Sequence, residues 1–174
     1  NGTSTEIDTT GHVLLEAGDS IGTNTNRIEL ANVAKLAGQT LNTNSVQGDI
    51  WLRKLGTTDA LEVGTVREVQ EKNSTAQLDN TLNTATTASS TASLVGLTSA
   101  NNGNITLTTQ GGNLTVSQAV TANGTGFIDL RTASTASPNG RIIIANSGTV
   151  DNTGGEVPTA GAAADAGKLV STSG

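Results

Sequence analysis

Apolar residues in this chain recur in short alternating pairs rather than in long runs. Between Gly103 and Val116 the same unit, Gly-Asn-apolar-Thr-apolar, occurs twice, nine residues apart, as Gly103-Asn104-Ile105-Thr106-Leu107 and Gly112-Asn113-Leu114-Thr115-Val116. Alternation at period two places both apolar side chains on one face of a strand and the Thr on the other. Branched Thr and Ile favour a pleated surface. The leading Gly-Asn supplies a corner, because both residue types tolerate positive φ.

Related pairs run along the chain: Val13/Leu15, Ile28/Leu30, Ile50/Leu52, Leu61/Val63, Ile128/Leu130 and Ile142/Ile144. Ile28 and Ile50 lie 22 positions apart, and Ile105 and Ile128 lie 23 apart. Two distant stretches with nearly equal spacing predict stacked coils of roughly 20–25 residues, the period of a solenoid repeat. The expected fold is all-β, a parallel β-helix over residues 1–174, with strands over 1–65 and 94–145. Ile105, Leu107, Leu114, Val116, Ile128, Leu130, Ile142 and Ile144 are expected to be buried. Thr106, Thr115 and Asp129 are expected to face solvent.

Two stretches break the pattern. Residues 66–93 pair Arg67 with Glu71 and Glu68 with Lys72 at helical spacing, and end in a Thr/Ala/Ser tract. They read as an insertion projecting from a corner, and insertions in repeat proteins often carry the binding face. Residues 146–174 are rich in Gly and Ala, and only Lys168-Leu169-Val170-Ser171 looks like a strand. A segment so poor in apolar side chains orders only against something else, so it reads as a tail or docking segment.

Composition sharpens the picture. Aromatic residues make up 1% of the chain, Trp51 and Phe127 alone, so the core must be built from small aliphatics. The net charge of −6 and the scattering of the nine Lys and Arg argue against nucleic acid, which needs a basic stripe. No apolar run approaches a membrane span. The N-terminus lacks both an initiator Met and the features of a signal peptide, which points to a processed chain or a piece of a longer one. Asn104 and Asn113 head glycosylation sequons, but they fall on predicted strands and read as by-products of a Thr- and Asn-rich repeat.

The phrases Gly11-His12-Val13-Leu14-Leu15-Glu16-Ala17-Gly18-Asp19-Ser20-Ile21-Gly22, Gly48-Asp49-Ile50-Trp51-Leu52 and the tandem unit at 103–116 resemble the repeats of filamentous-haemagglutinin-like large exoproteins. Asn123-Gly124-Thr125-Gly126 followed by Ile128-Asp129-Leu130-Arg131 looks like a continuation of them. The resemblance covers residues 11–65 and 94–145. It implies a right-handed parallel β-helix, export through an outer membrane, and a role as a surface adhesin or stalk. It implies no active site. The chain departs from that family in lacking an N-terminal secretion domain and in carrying the 66–93 interruption.

The residues themselves give little catalytic chemistry. His12 is the single histidine, which leaves a triad or a His-based metal site without material. No cofactor is expected, since neither a phosphate-binding Gly-rich loop nor a calcium-binding Gly-Gly repeat is present. A β-helix polysaccharide lyase or hydrolase needs grouped carboxylates, and Glu29, Glu62 and Asp129 are far apart in sequence. Ranked outward Thr would fit an ice lattice only if every coil repeated them, and Glu29, Trp51 and Asp129 interrupt the rank.

Trp51 is the residue that stands out. Between inward Ile50 and Leu52 it points outward, beside Arg53, where its flat ring can stack on a sugar. The structural alternative is that the 66–93 insertion or a neighbouring molecule folds over it. The chain therefore reads as a non-enzymatic, secreted or cell-surface segment. Its partners are a surface glycan or host receptor at Trp51 and Arg53, and further coils or identical subunits stacked end to end.

Overall fold

A computed structural model of the chain describes residues 5–41, 47–56, 59–67, 93–132, 140–145, 148–152, 159–160 and 168–171. They form a parallel β-solenoid of about four turns, with no helix among the described residues. The chain alternates between two sheets. The first rung is β1 (Ile7–Asp8) and β2 (His12–Ala17); the second is β3 (Ile28–Ala31) and β4 (Lys35–Thr40). The third is β5 (Ile50–Lys54) and β6 (Leu61–Val63), then a hairpin of β7 (Thr65–Arg67) and β8 (Ser93–Val95), then β9 (Leu97–Ser99). β10 (Ile105–Thr109), β11 (Leu114–Val116) and β12 (Val120–Ala122) make the fourth, and β13 (Ile128–Thr132), β14 (Ile142–Ile144) and β15 (Val150–Asn152) the fifth.

Sheet A stacks β1, β3, β5, β10 and β13 in parallel. Sheet B stacks β2, β4, β6 with β9, β11 with β12, and β14 with β15, again in parallel. Inward columns run through both. Ile28, Leu52, Leu107 and Leu130 form one in sheet A, and Val13, Leu36, Val63, Val116 and Ile144 form another in sheet B. Most of these aliphatics are fully buried in one continuous cluster without an aromatic. Each such Leu or Ile contributes about 1.5–3 kcal/mol by leaving water.

The tandem Gly-Asn unit is a joint between rungs in both copies, and in the second copy its Gly112 also takes the expected positive φ. Asn104 Oδ1 accepts the Phe127 N–H at 3.1 Å, and Asn113 Oδ1 accepts the Arg141 N–H at 3.1 Å. Asp49 does the same one rung earlier, accepting the Asn104 N–H at 2.7 Å. Each side chain thereby satisfies a corner amide of the next rung. Gly103 is needed for closeness: a Cβ there would lie 2.2 Å from the Gly48 carbonyl oxygen. Around the first copy, positive φ falls on Asn101 and Asn102, which precede Gly103, and not on Gly103 or Asn104. The two sequon asparagines thus lie at corners, immediately before β10 and β11, and not on strands.

Several expectations are corrected. Ile28 pairs with Leu52, not Ile50, because the segment after Ile21 loops out and Ile21 itself bridges to Ile50. Thr106 and Asp129 point outward yet are buried, at 1% and 8% exposure, whereas Thr115 is half-buried. Ile142 is half-buried and Ile144 is 45% exposed, because β14 stands at the end of its sheet and pairs only with β11 among the described strands.

The interruption at 66–93 leaves the body of sheet B, not a corner. β7 and β8 pair antiparallel at its base, with Val66 buried. The helical charge spacing and the Thr/Ala/Ser tract lie outside the described residues. At the far end, β16 (Thr159–Ala160) and β17 (Lys168–Ser171) form an antiparallel hairpin whose β17 lies on β13. The strand expected at Lys168–Ser171 is therefore present, and it pairs with the chain's own last rung.

Candidate functional site

The outer face of sheet A gathers the chain's two aromatic residues and three of its arginines. Its side chains fall in two columns set by the strand register. One is Trp51, Thr106 and Asp129; the other is Glu29, Arg53, Thr108 and Arg131. Arg27 precedes Ile28, whose partner is Leu52, so it stands level with Trp51 at the head of the first column. Phe127 precedes Ile128 at the corner leading into β13.

Trp51 is half-buried and held by its own chain. Phe127 meets it edge to face, with ring centroids 6.1 Å apart and planes at 77°. The Arg27 guanidinium lies 5.8 Å from the Trp51 ring centroid, a cation–π distance, while its Nη1 donates to Thr108 Oγ1 at 3.1 Å. Neighbouring rungs thus supply the cover for Trp51, and the described base of the 66–93 insertion leaves from the other sheet.

Arg53, proposed with Trp51 from sequence, stands two residues along and pairs with Glu29 (Nη1 to Oε1, 3.3 Å). Arg131 clasps Asp129 with two contacts, Nε to Oδ1 and Nη2 to Oδ2, each at 2.6 Å. Such a two-pronged pair is the strong form of a carboxylate–guanidinium contact. It explains why Asp129 is buried while pointing outward. Thr106 is shielded between the larger Trp51 and Asp129, and its hydroxyl has no partner among the described residues.

The carboxylates weighed for catalysis do not converge. Glu29 and Asp129 are engaged by separate arginines on sheet A, and Glu62 lies on sheet B. There Ser117 donates a short hydrogen bond to Glu62 Oε1, and Lys35 Nζ lies 3.2 Å from the same oxygen. The Ser117 hydroxyl, with help from Lys35, holds the Glu62 carboxyl below its ordinary range against the opposing effect of partial burial. No group of three or more His, Cys, Asp or Glu suited to a metal occurs among the described residues. No helix among them is long and apolar enough to cross a membrane.

Two contributors escaped the sequence. Arg27 is legible only with the register in hand, since it lies one coil, 24 positions, before Trp51 as Ile28 does before Leu52. Lys54 follows the inward alternation Ile50, Leu52, Lys54 and is fully buried. Its Nζ donates to the Leu55 carbonyl at 2.9 Å and lies 3.7 Å from Asp59 Oδ2.

Fold and face together define a parallel β-solenoid whose side carries a shallow aromatic and arginine surface. Comparison with protein-family models, curated proteins and solved structures gave no match.

Proposed function

We propose that this chain is a structural and adhesive segment of a secreted or cell-surface bacterial exoprotein, a stiff shaft that presents its sheet A face for attachment. The observation that carries the reading is how the polar side chains are used. Asp49, Asn104 and Asn113 each tie one rung to the next, and Gly103 and Gly126 let successive corners touch. Main-chain bonds of both parallel sheets run in the same direction, along the stack. Such a construction transmits load lengthwise and leaves a long flank free for contact.

On that flank the Trp51, Phe127 and Arg27 cluster and the Arg53 and Arg131 guanidinium groups suit a surface glycan or a receptor with polar, flat groups. The decisive test is display of the chain on a non-adherent bacterium, with attachment to glycan-coated surfaces and host cells counted. Display should raise attachment over the carrier alone. The double variant Arg27→Ala/Trp51→Ala should return it most of the way while the strand signal in circular dichroism persists. No gain in attachment on display would refute the adhesive reading.

A further inference from the structure

The three guanidinium groups on the sheet A face are not equivalent. Arg53 is paired with Glu29, and Arg131 is clasped to Asp129. Arg27 pairs with no carboxylate among the described residues. It reaches past β5 to Thr108 on β10, where Nη1 donates at 3.1 Å, and its guanidinium stands over the Trp51 ring. The other acids on this side are engaged elsewhere. Glu6 Oε2 accepts the Glu29 N–H, Asp8 Oδ1 accepts from Asn32 Nδ2, and Asp49 Oδ1 accepts the Asn104 N–H.

We propose that the ligand of this face is an acidic sugar, a pyranose unit that carries a carboxylate, and that Arg27 is the residue that takes the carboxylate. The inference rests on the adhesive reading of the same face and names the class of glycan it selects. A guanidinium presents five N–H donors in one plane, in a fork that matches the two oxygens of a carboxylate. Thr108 is the hydrogen-bond acceptor Arg27 has among the described residues, and an aromatic ring offers no lone pair, so most of the fork has no acceptor in the protein. Arg131 and Asp129 show the two-pronged form of this contact on the same face.

Position and charge point the same way. Trp51 and Thr108 hold the guanidinium in place, so little side-chain freedom is lost when an anion docks. With a cation over its ring, Trp51 is not an open platform for a neutral sugar, whereas an acidic sugar gains from the ion and keeps its apolar face for the half-buried ring. The chain as a whole carries −6, which repels polyanions, so an acidic glycan bound here is held by the local arrangement and not by bulk charge. Uronic acid units within a polysaccharide and ulosonic acid units at the end of a glycan share this chemistry.

Trp51 is the only tryptophan and the chain has no tyrosine, so its fluorescence reports on this spot alone. The 174-residue chain is titrated with a galacturonic acid trimer, with the carboxyl-reduced neutral form of that trimer, and with a sialylated trisaccharide. At least one acidic sugar should change the emission saturably, more weakly as salt rises. The neutral trimer should bind about tenfold more weakly, the worth of a hydrogen bond to a charged group. Arg27→Gln should bring the acidic sugar down to the neutral level. Arg141→Gln, an exposed cation at the corner before β14, should leave it unchanged. Equal affinity for the acidic and neutral trimers overturns the proposal, as does acid binding that survives Arg27→Gln or the absence of any response to both acids. Should Arg27→Gln lose its strand signal, Arg27→Lys decides: a point charge without the fork should bind the acidic sugar roughly threefold more weakly or worse, and unchanged affinity overturns the proposal. Displayed chain that attaches to neutral glycans alone overturns this inference and leaves the adhesive reading standing, whereas display without any attachment overturns the adhesive reading itself.

Discussion

Replacing Gly103 by Ala adds one methyl group at the tightest kind of contact in the molecule. The new Cβ would lie 2.2 Å from the Gly48 carbonyl oxygen, 2.5 Å from its carbon and 2.8 Å from the Ala100 oxygen. All three are backbone atoms, so no side chain can swing away. Relief requires the third and fourth rungs to separate locally by about 1 Å, beyond the ordinary strand spacing of roughly 4.8 Å. That movement strains the Gly48 N–H to Ala100 bond (3.2 Å), the Gly103 N–H to Ala100 bond (2.9 Å) and the Ile50 N–H to Asn104 bond (2.7 Å). Overpacking costs about 1–3 kcal/mol and each weakened bond up to about 1 kcal/mol, while loss of glycine freedom in the unfolded chain returns about 0.4–1 kcal/mol. The net expectation is a loss of about 2–4 kcal/mol, or roughly 2–4 °C in melting temperature for each kcal/mol. Gly18→Ala is the matched control, since a Cβ there meets nothing within 4 Å. Thermal and urea unfolding followed by circular dichroism should separate the two clearly. If Gly103→Ala melted with Gly18→Ala, the close approach of successive corners would not be what fixes glycine at this place.

Lys54→Met should leave stability unchanged or raise it by about 1–3 kcal/mol, because an apolar chain of similar volume replaces a fully buried amine with a distant carboxylate partner; a large loss in urea unfolding would show that the amine is needed. Acid should probe Glu62: with its folded value held below the ordinary 4.5, it stabilises the fold above that value and the contribution is lost as pH falls through the folded value. Ser117→Ala removes the largest cause of the lowering, so the fall in stability between about pH 5 and 3 should become shallower, and an unchanged acid limb would contradict the assigned hydrogen bond.

The solenoid was legible because its core is made by alternation alone. Ile105/Leu107 and Leu114/Val116 are buried as the pattern requires, and the 23-residue step from Ile105 to Ile128 is the true register. The step inferred from Ile28 and Ile50 misses by two positions, because a corner that loops out shifts the pairing without disturbing the alternation that a sequence displays. Alternation also tells which side a residue faces, not what stands beside it. Thr106 and Asp129 face outward as read, and their burial comes from Trp51 and Arg131 on adjoining positions. For the same reason Trp51 was visible as an outward aromatic, while its cation partner was not. Arg53 is near in sequence but held by Glu29; Arg27 is near only in space.

The six-residue strand β4 is a splint. Its Lys35 and Leu36 hold Glu62 and Val63, its Gly38 and Gln39 hold Leu97 and Thr98, and Thr65 closes against Val95 across the gap. The two halves of the third rung are thus kept in line by a neighbour, whatever the chain does between them. Once that gap is clamped, doubling the intervening length costs only about 0.6 kcal/mol of closure entropy. Residues 68–92 are accordingly a place where the chain can be lengthened, exchanged or loaded with foreign sequence without altering the pitch of the stack, a ready-made port in the side of the rod.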